Sequence, residues 1–296
     1  MNLPYLLQRS AARVRSLPLL RNLSPLWRAV RPAFDAVMAA LSGGRAIELP
    51  MPLSEDRFRF DLAFRNSDFA SSEAAPYRWV AEQLRPGMVF FDIGANIGFY
   101  TLNAVKRVGA TGLVAAVEPQ DASRRMPERH VRLNGFQDRV RILDCPAGDS
   151  DGVAVEFFQP SEQVHSGSSL AFARDVDYVD RSRLNIHRKT MRTVDSLAAE
   201  LGRDPDVLKI DVEGAELRVL RGAERVLRRR RPTALSAVHP FWMAGLQDTV
   251  EDLAAFVASV GYRMVGLDGS PRPKPDYEEV LLLPPETGGP GPEGAR

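Results

Sequence analysis

Asp92 closes a short apolar run, Val89 to Phe91, and the turn Ile93-Gly94-Ala95-Asn96-Ile97-Gly98 follows it at once. A strand that ends in a carboxylate and turns through glycines into a helix makes a ligand cradle. Glycines let backbone approach a ligand closely, and the first amides of the new helix have no intrahelical partner. Glu118 ends the next apolar run, Leu113 to Val117. Further along, Asp211, Glu213 and Glu216 crowd into LKIDVEGAE, Leu208 to Glu216, and His239 follows the apolar run Thr233 to Val238. Acids and a histidine at successive strand ends are the groups that hold a polar ligand and move a proton.

The ligand class follows from the first turn. In the dinucleotide fingerprint the second glycine of G-x-G lets backbone reach a pyrophosphate; here Asn96 stands there, and its side chain would crowd it. A carboxylate such as Asp92 suits a cationic, hydroxyl-rich ligand, and an acid at the place of Glu118 holds ribose hydroxyls. S-adenosylmethionine meets both conditions, so Asp92, Gly94, Asn96, Gly98 and Glu118 are the expected cofactor-binding set. The alternatives are that Asp92 caps its own turn and that Glu118 is an ordinary surface acid. The pair argues more strongly than either residue alone.

A sulfonium methyl is already activated, so the protein must align a nucleophile, exclude water and remove a hydroxyl proton. Asp211, Glu213 and His239 are the expected catalytic residues, with His239 or Asp211 as base. For Glu216, and in part for Glu213, the interaction of an acid with a helix N-terminus is the simpler reading. His165 and His187 fall in a long polar stretch, Gln159 to Arg188, expected to be a binding loop or lid, and His130 reads as structural. Asp211, Glu213 and a histidine also offer oxygen and nitrogen donors to a metal; the spacing fixes no ligand set.

The elements that must position these residues alternate strand and helix after the turn signal Arg85-Pro86-Gly87, as in an α/β fold with a parallel sheet. The expected strands are Met88 to Phe91, Leu113 to Val117, Val140 to Leu143, Val207 to Ile210, Thr233 to Val238, Tyr262 to Gly266 and Glu279 to Leu283, with Val153 to Phe158 as an extra β piece. A single helix is expected over Ala215 to Arg229, another at Leu26 to Leu41 and a half-buried strand at Arg57 to Phe64. The organisation is therefore a basic, partly helical extension with a β element over 1–75, one domain over 76–283 and a Pro/Gly-rich tail over 284–296 expected to be disordered.

The chain has 296 residues, 44% of them apolar and 26% charged, which is enough for one sizeable α/β core. A net charge of +1 disfavours nucleic acid as a partner. Arg9, Arg13, Arg15, Arg21, Arg28 and Arg31 precede the first acidic residue; this arm is either a solvated helical face or a peripheral contact for an acidic membrane surface. The only cysteine, Cys145, excludes an internal disulfide and a cysteine cluster. With no signal-like core or apolar span in view, the expected location is cytoplasmic.

The stretches RPGMVFFDIGANIGFYTL, VEPQ, HVRLNGF and LKIDVEGAELRVLRGAERVL, the last followed by RRRPTALS, resemble the FkbM family of S-adenosylmethionine-dependent methyltransferases over roughly Glu73 to Leu283. The resemblance implies a Rossmann-like class I methyltransferase fold, with a seven-stranded, mostly parallel sheet and an antiparallel last strand. It also implies methyl transfer to oxygen, often a sugar hydroxyl of a glycolipid, polysaccharide or secondary metabolite. The competing functions are N-methylation of a small amine or nucleic acid, and S-adenosylmethionine binding without catalysis. Against adenine methylation, IDVEG lacks the Asn/Asp-Pro-Pro-aromatic element that holds a flipped base. One departure stands out: many relatives carry a glutamate where this chain has Ala237, two residues before His239.

Overall fold

The computed structural model describes residues 10, 24–41, 46–52, 55–65, 67–69, 73–159 and 185–285. Most of the arginine-rich arm, His165 with the greater part of the polar stretch, and the tail from 286 lie outside the described residues.

Two β-sheet systems share the interior. A hairpin, β1 (Ala46–Pro50) and β2 (Arg57–Asp61), pairs antiparallel. Its alternation turns Phe58 and Phe60 inward and Arg57 and Arg59 outward, as a half-buried strand requires. The main sheet contains β3 (Val89–Ile93), β4 (Leu113–Val117), β5 (Val140–Leu143), β8 (Val207–Ile210), β9 (Thr233–Val238), β10 (Arg263–Gly266) and β11 (Glu278–Leu283). These seven strands lie in the order β10-β11-β9-β8-β3-β4-β5, and only β11 runs against its neighbours. The expected mostly parallel sheet with an antiparallel last strand is the observed one. Between them in the chain, β6 (Ala154–Gln159) pairs antiparallel with β7 (Asn185–Thr190).

Burial on both faces explains the near-continuous apolar strands. Phe91, Leu208 and Ile210 point to one side with Leu217 and Leu227. Phe90, Val114 and Val207 point to the other, where Phe58, Phe60 and Ile47 of the hairpin and Leu102 and Val105 of the helix Phe99–Val108 complete the core. The hairpin, placed with the extension on sequence grounds, thus buries its apolar face in the same core as the sheet.

Chain order reverses direction beside β3: the chain steps to β4 and β5 on one side and returns to β8 on the other. Such a switch point opens a crevice at the carboxyl ends of the strands. Ile93 and Ile210 are register partners there, so the residues just beyond them, Gly94 and Asp211, enter the crevice side by side.

Several expectations need correction. The helix expected over Ala215 to Arg229 is two helices, Glu216–Arg221 and Glu224–Arg229. Gly222 divides them: a Cβ on it would lie 1.9 Å from the Gly148 carbonyl oxygen, and its own carbonyl accepts from Asp195 N at 2.9 Å. His187 is not in a loop but in β7, opposite Phe157. The strand expected from Arg57 to Phe64 gives way after Asp61 to a turn of 3₁₀-helix, with the Asp61 side chain accepting from Ala63 N. The helices Ala74–Gln83, Val194–Leu201 and Pro240–Gly245 had no sequence expectation; each is short, and packing rather than periodicity supports it. No helix among the described residues is long and apolar enough to cross a membrane.

Candidate active site

The turn after β3 bends through left-handed backbone at Gly94, Asn96 and Gly98, with φ of 81°, 47° and 83°. Asn is among the few side-chain-bearing residues that accept this region readily. Gly94 N and Ala95 N both donate to Val117 O, and Asn96 N donates to Glu118 Oε2 at 2.7 Å. Glu118 Oε1 accepts from Gln120 N at 2.8 Å. Each carboxylate oxygen thereby holds one amide and keeps a second lone pair for a ligand hydroxyl. Burial pushes the Glu118 carboxyl up to about 7, against the pull of these two amides.

Gly94, Asn96 and Glu118 line a cavity together with Pro119, Phe157 and Ala215. Asn96 Oδ1 is buried without a hydrogen-bond partner, an acceptor waiting for a donor. An acid with two spare lone pairs and an orphaned amide oxygen in one cleft fit a nucleoside-bearing ligand such as S-adenosylmethionine. Two of the glycines meet the protein's own chain. A Cβ on Gly94 would meet Asp211 O at 1.8 Å, and one on Gly98 would meet Pro127 Cβ at 2.9 Å. Their bareness admits the protein's own chain.

Asp92 lies deeper than the cavity walls. It is 0% exposed and lines neither cavity described here, so its carboxylate has no surface on which to touch a cofactor ammonium directly. Thr101 Oγ1 donates to its Oδ2 at 2.7 Å, and Lys209 Nζ lies 3.6 Å from its Oδ1. Burial raises its pKa, while Lys209 and Thr101 oppose the rise. Lys209 spans the two motifs: Nζ donates to Gly94 O at 2.7 Å and lies 3.4 Å from Asp211 Oδ2. Sequence reasoning overlooked this residue because a lysine inside a core strand looks like a solvated edge position; its 5% exposure shows otherwise.

After β8 the backbone turns through Glu213 (φ 51°) and Gly214 (φ 103°). A Cβ on Gly214 would overlap Trp242 Cβ at 2.5 Å, so the helix Pro240–Gly245 seats directly on this turn. That contact brings His239 to the cluster. Its Nδ1 donates to Glu216 Oε1 at 2.8 Å, and the same oxygen accepts from Gly214 N at 2.9 Å. Glu216 is therefore more than a helix-terminal charge: fully buried, it fixes the imidazole. His239 Nε2 faces Glu213 Oε2 at 3.6 Å and Asp211 Oδ1 at 3.8 Å. Burial pulls the imidazole pKa down, but Glu216, Glu213 and Asp211 outweigh it and the net direction is up. Burial raises the Glu213 carboxyl to about 7.

Asp211, Glu213 and His239 therefore meet. Asp211 and Glu213 line the first cavity and also a second of about 810 Å³, which His239, Lys209, Tyr100, Tyr277 and Ala237 help to form. Ala237 faces Glu279 across the β9–β11 register, and Glu279 lines the same cavity. An acid thus approaches the place of the missing glutamate from the neighbouring strand, 42 positions later in the chain as numbered.

A family profile described as the methyltransferase FkbM domain matches residues 92–264, more than half of the chain. Over 166 residues the chain is 33% identical to the 31-O-demethyl-FK506 methyltransferase FkbM of Streptomyces tacrolimicus, covering 48% of this chain and 62% of that protein. Over 147 residues it is 30% identical to Methyltransferase 1 of Beauveria bassiana, covering 45% and 57%. The chain thus spans about 60% of the length of these curated relatives. Among solved structures, a methyltransferase FkbM from Methylobacillus flagellatus KT aligns with a TM-score of 0.43 at 18% identity, over 75% of this chain and 52% of that one.

Proposed function

The chain belongs to the FkbM methyltransferase family, and on that premise we propose that it transfers a methyl group to a hydroxyl oxygen of a sugar or glycosylated small molecule. The cofactor is S-adenosyl-L-methionine, which supplies a methyl already activated on a sulfonium. The observation that carries this reading is the pair of cavities that meet at Asp211 and Glu213. One has the features of a nucleoside site; the other is open for an acceptor.

In the first cavity Glu118 receives the ribose hydroxyls and Asn96 Oδ1 a further donor, while Lys209 holds the turn by its bond to Gly94 O. In the second, the acceptor hydroxyl rests against Asp211, Glu213 and His239, which aim its oxygen at the donor cavity. The oxygen gains the new C–O bond, the C–S bonding pair stays with sulfur, and the hydroxyl proton passes by way of the cavity carboxylates to solvent water.

Glu73, Asp211, Glu213, Glu278 and Glu279 all line the second cavity. Carboxylates repel an anionic acceptor and accept hydrogen bonds from a polyol. Tyr277, 66% exposed at the rim, presents an aromatic ring to a sugar face. The same acids would also hold an ammonium, but they would keep it protonated and so poorly nucleophilic, which favours oxygen over nitrogen. The name of the Streptomyces tacrolimicus relative likewise specifies an oxygen.

The test is incubation of the purified protein and isotopically labelled cofactor with a cell extract, followed by mass spectrometry. Label on an oxygen of a neutral or glycosylated small molecule is the expected result. Label confined to nitrogen or nucleic acid rejects the reading.

A further inference from the structure

We infer that Asp211, Glu213 and His239 hold a divalent cation at the junction of the two cavities. Their donor atoms lie within 4.8 Å of one another. Three features of their geometry favour a cation over a network of hydrogen bonds.

The first is the state of His239. Glu216 Oε1 takes the Nδ1 proton, and Glu216 itself is 0% exposed and anchored by Gly214 N. Held this way, the imidazole turns Nε2 toward both carboxylates, where an ion would take the place of a proton. A histidine ligand oriented through its other nitrogen by a buried carboxylate is the recurrent arrangement at metal sites.

The second is distance. A protonated Nε2 would close on a carboxylate oxygen at roughly 2.7–2.9 Å, yet His239, only 4% exposed, keeps Nε2 at 3.6 Å from Glu213 and 3.8 Å from Asp211. Ligand bonds of about 2.0–2.2 Å place neighbouring donors roughly 3–3.5 Å apart around one ion. The two Nε2–carboxylate distances are thus too long for hydrogen bonds and close to those that an ion would draw together.

The third is charge. Lys209, the nearby cation, faces Asp211 Oδ2, whereas Oδ1 is the atom turned toward His239. One side of Asp211 is balanced from within the strand, and the other converges with Glu213 and His239 on a common point.

Mixed imidazole and carboxylate donors suit Mn²⁺, Fe²⁺ or Zn²⁺, and three protein ligands leave open positions for an acceptor oxygen. This consequence rests on the acceptor-site reading above. A bound cation would lower the pKa of the hydroxyl, and its proton would pass to solvent water rather than to His239, whose lone pair is committed. The O–H pair remains on the oxygen that forms the C–O bond.

The test is a Mn²⁺ titration of the full chain followed by electron paramagnetic resonance. The wild type should remove the free-ion signal with about one ion per chain, and histidine nitrogen coupling should appear on the bound ion and vanish in His239→Gln. Asp211→Asn should weaken Mn²⁺ at least tenfold. Glu216→Gln, acting only through Nδ1, should weaken it about 10- to 100-fold. Calorimetry with S-adenosylhomocysteine checks that each variant is folded; should His239→Gln fail that check, the half-exposed Asp211→Asn decides. An undiminished free-ion signal with wild type, or binding unchanged by Asp211→Asn, overturns the inference. Methyl transfer that persists without Mn²⁺ binding rejects the cation and leaves the methyltransferase reading standing; bound Mn²⁺ without transfer to any hydroxyl does the reverse.

Discussion

The carbonyl oxygen of Asp211 occupies the space that a side chain on Gly94 would need, 1.8 Å from where its Cβ would stand. The two sequence motifs are thus one object, because the backbone of the first turn rests on the backbone of the second.

Replacing Gly94 with alanine should therefore damage both. The left-handed φ of 81° costs about 1–2 kcal/mol for a residue with a Cβ, and displacement of the Asp211 backbone adds to it. Gly152 has a similar φ of 75° but open space around it. Urea denaturation should show Gly94→Ala less stable than Gly152→Ala by at least ~2 kcal/mol, with loss of S-adenosylhomocysteine binding in the first variant alone. Equal effects would remove the steric contact from the explanation.

Ligand binding should depend on pH through Glu118. Its folded-state carboxyl titrates at about 7, above the usual 4.5. By itself this raised value favours the fold at low pH, and the contribution fades as pH rises from 4.5 to 7. Ligand hydroxyls favour the ionised form, so binding should strengthen from pH 6 to 8 and release protons near neutrality. Calorimetry in buffers of different ionisation enthalpy measures that release; Glu118→Gln should abolish it.

Asp92 and Lys209 should be strongly coupled. Lys209→Met leaves a fully buried carboxylate facing no cation, a change that typically costs about 3–5 kcal/mol at a site where both groups are at most 5% exposed. Asp92→Asn in the same chain should recover a large part of the loss. A double-mutant cycle by chemical denaturation with additive effects would contradict this.

His130 should make the fold acid-sensitive. Its Nδ1 donates to Ile97 O at 2.7 Å, its ring packs on Phe60 and Phe64, and burial lowers its pKa to about 4. The unfolded chain binds a proton near 6.5 and the folded one does not, so stability present above 6.5 is lost as pH falls toward 4. The shift corresponds to about 3 kcal/mol. Urea midpoints between pH 7 and 4 should fall more steeply for the wild type than for His130→Gln.

Local pattern made much of this legible. The apolar strands Val89–Ile93, Leu113–Val117, Val207–Ile210 and Thr233–Val238 stand out because both of their faces are buried, and carboxylates at their ends mark the crevice. The break at Gly222 was hidden, since the reason for it is the Gly148 carbonyl, 74 positions earlier in the numbering.

By itself the sequence determined the alternating architecture, the family and the groups that gather at the sheet edge, because those depend on residue type and short spacing. Only the tertiary structure decided what each group faces. It sealed Asp92 under Lys209, turned Glu216 from a helix-end charge into the partner of His239, and brought Glu279 opposite Ala237. Strand register and close backbone packing fix these relations, and both join residues far apart in the chain that no local spacing records.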